Sequence, residues 1–308
     1  MPVHRLAVRN FLGGSSLTSA DLAMTLLVRE DDNKPRPMPT LTVREVGGAV
    51  KALESLGVKS VKIFAGSRVR DARASQSASP TNLMARAIEA AKRAAPGVLV
   101  MTETCVCSHN DTGECWLADK HGRMDREETI EALGVQAVMQ AKAGADIVGP
   151  AAMIPGSVRR VRHELDATGH RSVGIMPHLI FESSLYEGYR ATMGATPRSG
   201  TRAFQISPGH PEQAVHVAQQ MVDEGADMIL TEPALHTVDT LVQLKDKVPV
   251  PLVPFSVSGE YLRLTDRRDD GERDMTGLIE AYTVLKRAGA TRVITYGALE
   301  IARQLKGS

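Results

Sequence analysis

The sequence predicts a (β/α)8 barrel, the TIM-barrel fold, with a short N-terminal arm. Eight short apolar runs rich in β-branched residues alternate with stretches whose apolar residues recur every three or four positions, which is the pattern of buried strands and amphipathic helices. Eight such units need roughly 250 residues, and the chain has 308. The runs lie at 22–28, 58–64, 97–103, 145–150, 172–177, 226–231, 250–255 and 291–296.

Helical periodicity is clearest in three of the intervening stretches, at 82–95, 211–224 and 275–288. Another helix is predicted after Asp125, where Glu128 completes a capping arrangement. Four helices end at a glycine that leads directly into a strand, because glycine readily takes the left-handed conformation that closes a helix. These are Gly57, Gly144, Gly225 and Gly289. A doubly wound sheet is the alternative, but no G-x-G-x-x-G sequence opens a helix.

The chain divides into an arm at residues 1–20, expected to contact other subunits, and a catalytic barrel at residues 21–308. In such barrels the active site lies where strands end and the next loops begin. The segments after the second, third, fifth and seventh strands exceed about 15 residues, which is typical of functional loops. We therefore expect a covered pocket at this rim.

Charge and hydropathy exclude several classes of protein. The 37 basic and 36 acidic side chains give a net charge of +1. Nucleic-acid binding normally needs a clear excess of basic residues, and this chain has almost no such excess. No apolar stretch approaches the length of a membrane span, and the N-terminal sequence MPVHRLAVRNFLGG lacks the apolar run of a secretory signal. We therefore expect a cytoplasmic protein with no nucleic-acid or membrane partner.

The three cysteines indicate a metal site. Cys105, Cys107 and Cys115 follow the third predicted strand, on a polar loop at the catalytic rim. Three thiolates with an open fourth position are suitable ligands for a catalytic zinc ion. We therefore predict that these residues bind Zn²⁺. The alternative is three free thiols, which can oxidise to a disulfide.

Five longer sequence motifs, one of which contains the cysteines, are spread along the chain. The cysteine loop reads TETCVCSHNDTGEC, the next strand and helix read GADIVGPAAMIPGSVRRVRHELD, and later strands read EGADMILTEPAL, VPFSVSGEY and KRAGATRVITY. Together these motifs resemble the porphobilinogen synthase (δ-aminolevulinate dehydratase) family over nearly the whole chain. The resemblance implies a TIM barrel, an arm that wraps a neighbouring subunit, and a homo-oligomer, from a dimer up to an octamer.

The two lysines of that family's reaction are missing. The resemblance implies that two aminolevulinates are joined through imines to a lysine at the end of strand five and another in strand six. The strand-six position is Glu232, directly before Pro-Ala-Leu, and the strand-five position falls on Ile180 or Phe181. No lysine lies between Lys142 and Lys245, and a carboxylate cannot form an imine. We therefore expect a different mechanism.

Most of the family's carboxylate-binding positions are matched. The resemblance assigns this role to Arg190, Gln205, Ser258 and Tyr296, and to Arg202, which is left of an arginine pair whose other position is Thr201. Taken alone, Arg190 is typical of a solvated charge, Ser258 of a turn and Tyr296 of a core residue. Their occurrence at separate places in the family pattern favours the functional interpretation.

Four charged or titratable residues are candidates for catalysis: Glu232, His178, Glu103 and Lys62. Glu103 precedes the first cysteine by two residues, and His178 is a candidate base or fourth zinc ligand, or a hydrogen-bonded structural residue. Alternation along the second strand places Lys62 and Phe64 on one face. If that face points inward, Lys62 is an ion-pair partner of Glu103 or Glu232, or a relocated amine; if outward, it packs among helices.

The sequence therefore predicts a zinc-dependent lyase, dehydratase or condensing enzyme acting on a small amino- or keto-carboxylate. In this hypothesis zinc polarises a carbonyl or activates water, and Glu232 or His178 moves protons. Two alternatives remain. One is a non-catalytic paralogue that binds metal or ligand, and the other is a true porphobilinogen synthase that uses Lys62.

Overall fold

Parallel strands surrounded by helices form the fold in this computed structural model, which describes residues 17–32, 34–198, 200, 202, 204–266, 268–269 and 271–307. The strands are β1 (Leu22–Arg29), β2 (Leu41–Thr42), β3 (Ser60–Ala65), β4 (Leu99–Thr102), β5 (Leu117–Ala118), β6 (Met124–Asp125), β7 (Ile147–Val148), β8 (Gly174–Ile175), β9 (His178–Ile180), β10 (Ile229–Glu232), β11 (Leu252–Pro254) and β12 (Val293–Thr295). The helices are α1 (Val43–Ser55), α2 (Leu83–Ala94), α3 (Arg126–Lys142), α4 (Ser157–Ala167), α5 (Glu187–Met193), α6 (Glu212–Asp223), α7 (Val238–Leu244), α8 (Ser258–Arg263), α9 (Thr276–Ala288) and α10 (Ala298–Gly307).

The strand order is the one expected for a (β/α)8 fold. One sheet runs β12-β1-β3-β4-β7-β8, with β2 beside β1, and a second runs β11-β10-β9. Neighbours in both sheets are parallel. The sheets are linked where β9 continues β8 and the Leu230 N–H donates to the Pro177 carbonyl, and where Phe255 forms a bridge with Ile294. The predicted α/β fold is confirmed. Counted with β8 and β9 as one strand and without the short β2, eight parallel strands of the described chain follow in the predicted order.

Local sequence explains the helices that flank these strands. On α1 the buried residues Val46, Val50 and Leu53 recur at helical spacing and face the sheet. The Asp125 side chain accepts a hydrogen bond from the Glu128 N–H at the start of α3, as the capping prediction required. The glycines that end the helices have positive φ, including +84° at Gly57 and +104° at Gly225.

Aromatic side chains fill the upper part of the space between the strands. Phe64 of β3 stacks on Phe255, which follows β11, with ring centroids 5.7 Å apart. Phe255 lies 5.8 Å from Tyr296, which follows β12. Because these rings occupy the carboxyl ends of their strands, they form an apolar wall at the rim where the chemistry of such folds is located.

The predicted arm falls mainly outside the described residues, since residues 1–16 are not among them. The division at residue 20 and the subunit contacts of the arm therefore stay predictions. Within the described part of the chain, no helix is long and apolar enough to cross a membrane.

Candidate active site

The three cysteines lie together at the end of β4. Their Sγ atoms are all within 4.8 Å of one another, and the Sγ atoms of Cys105 and Cys107 are 3.3 Å apart. All three side chains are buried. Sulfur atoms that share one tetrahedral zinc ion at about 2.3 Å are separated by roughly 3.8 Å. The cluster therefore has the spacing and the soft ligand atoms needed to hold a metal ion.

Two glutamines on α3 hold the backbone of this cysteine loop. Gln136 donates to the Cys105 carbonyl at 3.2 Å, and Gln140 donates to the Glu103 carbonyl at 2.8 Å. The amide oxygen of Gln140 accepts hydrogen bonds from Thr102 and Thr104. Sequence reasoning missed both glutamines. Their four-residue spacing on an otherwise apolar helix face is the signal that marks them.

Arg202 lies beside the cysteines. Its guanidinium donates to the Gly113 carbonyl in the cysteine loop at 3.2 Å and to the Ala195 carbonyl at 2.7 Å. Hydrogen bonds from Cys105 and Cys115 hold the pKa of the Cys107 thiol well below its ordinary value, and the Arg202 charge acts in the same direction. The loop therefore favours a thiolate at Cys107.

A histidine and a carboxylate form a pair where β9 and β10 meet. His178 Nδ1 lies 2.9 Å from Glu232 Oε1, and both side chains are buried. Burial and the charge of Lys62 lower the pKa of His178, although Glu232 opposes this shift. His178 is therefore neutral near pH 7. Its Nε2 atom has no hydrogen-bond partner among the described residues, so it is available to a ligand.

Lys62 points into the barrel. Its side chain is fully buried, and Nζ donates to the Thr102 carbonyl at 2.8 Å. Burial lowers the pKa of Lys62 to about 8, while Glu103 and Glu232 oppose the shift. A Cβ atom at Gly149 would lie 2.9 Å from Lys62 Nζ and 3.1 Å from His178 Nε2. The glycine leaves space for both nitrogen atoms, and a larger residue there would displace them.

Glu103 is bound by a tyrosine that the sequence reasoning did not single out. The Tyr189 hydroxyl lies 2.9 Å from Oε2 and 3.1 Å from Oε1 of Glu103. Burial raises the pKa of Glu103 to about 8 and the charge of Cys107 adds to this, whereas the Tyr189 hydrogen bond opposes it. Tyr189 belongs to α5, next to Arg190. We call Ser184–Met193, from the 3-10 turn through α5, the covering helix.

One narrow cavity of about 30 Å³ brings most of the predicted site residues together. Glu103, His178 and Glu232 line it together with Cys115 of the cysteine cluster. Lys62 is not among the lining residues and lies behind them. The lining residues are Phe64, Glu103, Cys115, Ala151, His178, Ile180, Tyr186, Tyr189, Arg190, Arg202, Gln205, Glu232, Phe255, Val257 and Tyr296.

The predicted carboxylate-binding residues separate into two groups. Arg190 Nε, Gln205 Oε1 and the Tyr296 hydroxyl are buried with no partner among the described residues, and all three side chains line the cavity. Ser258 does not line it. Its hydroxyl donates to the Leu185 carbonyl and accepts from the Tyr189 N–H, each at 3.0 Å. Ser258 therefore ties α8 to the covering helix.

The fold and this site define an enzyme of the TIM-barrel class with a cysteine cluster that could hold a metal ion and a buried histidine–carboxylate pair. The sequence model of the family described as delta-aminolevulinic acid dehydratase matches residues 3–304. The chain belongs to that family and is a lyase of the porphobilinogen synthase type.

Individual relatives agree with this assignment. The delta-aminolevulinic acid dehydratase of Bacillus subtilis is 32% identical, over 97% of this chain and 95% of its own length. The Escherichia coli K12 enzyme of that name is 30% identical, over 97% and 94%. A crystal structure of the Toxoplasma gondii enzyme in complex with its product porphobilinogen has a TM-score of 0.92 at 28% identity, covering 99% of this chain and 91% of that one.

Ser258 and Tyr296 allow a comparison between a hydroxyl group that stabilises the fold and one that faces the cavity. We expect Ser258→Ala to lower the free energy of unfolding by about 1–3 kcal/mol, because two buried backbone groups lose their partner. We expect Tyr296→Phe to change it by less than about 0.5 kcal/mol, since the hydroxyl makes no hydrogen bond within the described chain. Urea denaturation measures both. Equal losses in the two variants would contradict this division.

Proposed function

We propose that the chain is a zinc-dependent lyase that dehydrates or condenses a small amino- or keto-carboxylate without two imine-forming lysines. The observation that carries this proposal is the pairing of Glu232 with His178 beside the cysteine cluster. Glu232 occupies the strand position at which the family resemblance implies an amine. The site therefore offers proton-transfer groups at the place where covalent chemistry is expected from the resemblance.

Zinc is the proposed metal, with Cys105, Cys107 and Cys115 as its ligands. Support comes from three buried sulfur atoms with separations that suit one tetrahedral ion and from the depressed pKa of Cys107. When bound, zinc supplies a Lewis acid that polarises a carbonyl group or lowers the pKa of water.

His178 is the proposed proton acceptor, and Glu232 positions it. A carboxylate that accepts from Nδ1 fixes the imidazole tautomer and leaves Nε2 as the basic nitrogen. The lowered pKa of His178 keeps this nitrogen unprotonated near neutral pH. Once protonated, the imidazolium is stabilised by Glu232, so the same nitrogen can return the proton to a leaving group.

The substrate carboxylate is proposed to bind Arg190, Gln205 and Tyr296, with Arg202 nearby. The support is that Arg190 and Tyr296 present donor groups to the cavity that lack partners among the described residues. Burial holds the pKa of Tyr296 well above its ordinary value, so its hydroxyl stays protonated and can donate. We also propose that the protein is a cytoplasmic homo-oligomer in which residues 1–20 contact a neighbouring subunit.

Lys62 carries the competing proposal of a true porphobilinogen synthase. Its pKa of about 8 favours that role, because an amine must lose its proton to attack a carbonyl. Its placement opposes the role, since Nζ is fully buried, bonded to Thr102 and behind the lining residues. We therefore propose that Lys62 compensates the charges of Glu103 and Glu232.

The metal proposal predicts about one zinc ion per chain in the purified, zinc-supplemented protein. Cys107→Ala should lose it, because two thiolates are too few for a structural or catalytic zinc site. Ser108→Ala is the control, since Ser108 is an equally buried neighbour that offers no thiolate. Elemental analysis measures the zinc content of each protein, and a zinc-free wild-type protein would refute the proposal.

Borohydride reduction in the presence of aminolevulinate distinguishes an enzyme without imine-forming lysines from a synthase that uses Lys62. We expect intact-protein mass spectrometry to find no adduct and product assays to find negligible porphobilinogen, because the chain lacks lysines at both expected positions. An adduct that disappears in Lys62→Met would instead establish Lys62 as a relocated imine-forming amine.

Glu232→Gln tests the proton-transfer role. A screen of small amino and keto carboxylates for zinc-dependent turnover supplies the substrate. With it, the variant should keep zinc and bind ligand but lose about 10²- to 10⁴-fold in kcat, because an amide cannot stabilise the imidazolium. Glu182→Gln, an exposed carboxylate after β9, is the control. Full activity of Glu232→Gln would refute the catalytic role.

A further inference from the structure

A second cavity of about 380 Å³ lies beside the ends of β1 and β3, next to the end of α5. It shares no lining residue with the candidate active site. Its lining is rich in basic side chains, with five basic and two acidic residues. These are Arg29, Lys34, Arg36, Arg68 and Arg70, with Glu30 and Asp32.

Both acidic residues of this cavity are already paired. Asp32 receives two hydrogen bonds from Arg36, at 2.7 and 2.9 Å. Glu30 pairs at 2.6 Å with Arg86, which does not line the cavity. Arg29 shares Asp32 with Arg36, at 3.9 Å. The positive charges of Lys34, Arg68 and Arg70 therefore remain without a carboxylate partner in the lining.

Arg70 is held in place by backbone groups. Its Nε donates to the Ser67 carbonyl at 3.2 Å and Nη2 to the Met193 carbonyl at 2.6 Å, and Nη1 donates to Gly194. A Cβ at Gly66 would lie 3.4 Å from Nη2, and one at Gly194 would lie 3.3 Å from it. The two glycines thus leave room for the guanidinium. No ion pair of Arg70 with a carboxylate occurs among the described residues, so its charge is fixed but uncompensated.

We propose that this cavity binds a small molecule with two or more negative charges, carried on carboxylate or phosphate groups. Guanidinium groups bind such oxyanions through paired, charge-assisted hydrogen bonds. The volume falls within the range of small-molecule sites. Val28, Leu83 and Met193 provide an apolar side for the carbon skeleton of the ligand.

The site lies close to two parts of the candidate active site. The Ser67 N–H donates to the Ser108 carbonyl of the cysteine loop at 2.9 Å. Arg70 holds the carbonyl of Met193, the last residue of the covering helix. Arg70 therefore connects the segment after β3, which contacts the cysteine loop, to the end of the covering helix. An anion bound in the cavity would contact the guanidinium group that makes this connection.

Calorimetric titration of the zinc-loaded protein with inorganic phosphate, succinate and acetate tests the proposal. We expect both dianions or one of them to bind, acetate to bind more weakly, and added NaCl to weaken binding by screening. Stronger binding of phosphate assigns the ligand to phosphate chemistry, and stronger binding of succinate assigns it to carboxylate chemistry.

Arg68→Gln should weaken binding of the preferred dianion about tenfold, because it removes a charge-assisted contact. Arg93→Gln is the matched control, since the exposed Arg93 side chain lies on α2 outside the cavity, and it should bind like wild type. In an Arg190→Gln background, which weakens any binding at the candidate active site, Arg68→Gln should still weaken binding of the dianion about tenfold. The proposal is overturned if neither dianion binds, if Arg68→Gln binds normally, or if size-exclusion chromatography shows that Arg68→Gln instead changes subunit assembly.

Discussion

Compensation of buried charge is the constraint on which this site depends. Lys62 and Glu232 are buried, where water cannot stabilise an isolated ion. Each of the two carboxylates that line the cavity has a specific partner, with Tyr189 bound to Glu103 and His178 bound to Glu232. The shifted pKa values of Lys62 and Glu103 follow from the same burial. A change at any one of these positions therefore alters the electrostatic environment of the others.

Side-chain hydrogen bonds to backbone groups hold both the cysteine loop and the covering helix. Arg202 connects the Gly113 carbonyl of the cysteine loop to the carbonyl of Ala195, just after the covering helix, while its charge favours the thiolate of Cys107. Ser258 fixes the covering helix to α8 from the other side. Polar contacts between loops, in addition to apolar packing, thus help to determine where the unpartnered group of Arg190 meets the cavity. Tyr296 is positioned instead by its ring contacts with Phe255 and Tyr261.

Local pattern predicted the strands, the helix ends and the cysteine cluster, because strand alternation, capping and short ligand spacing are properties of neighbouring residues. Contacts between distant segments were harder to predict. The direction of Lys62 depends on the register of β3 against β4, and the Tyr189 contact with Glu103 joins residues far apart in the chain. The family resemblance assigns a carboxylate-binding role to Ser258, yet its hydroxyl is engaged by backbone groups that only the folded chain brings near.

The convergence of inward-facing residues also bears on how such enzymes evolve. Lys62 comes from β3, His178 from β9 and Glu232 from β10, yet Gly149 after β7 leaves space for two of their nitrogen atoms at once. Different strands can therefore supply a titratable group to the same small volume. A lineage can lose a group from one strand and regain a similar charge from another while the scaffold is unchanged. Comparison of catalytic positions strand by strand then underestimates functional kinship, and comparison of positions in space is the better measure.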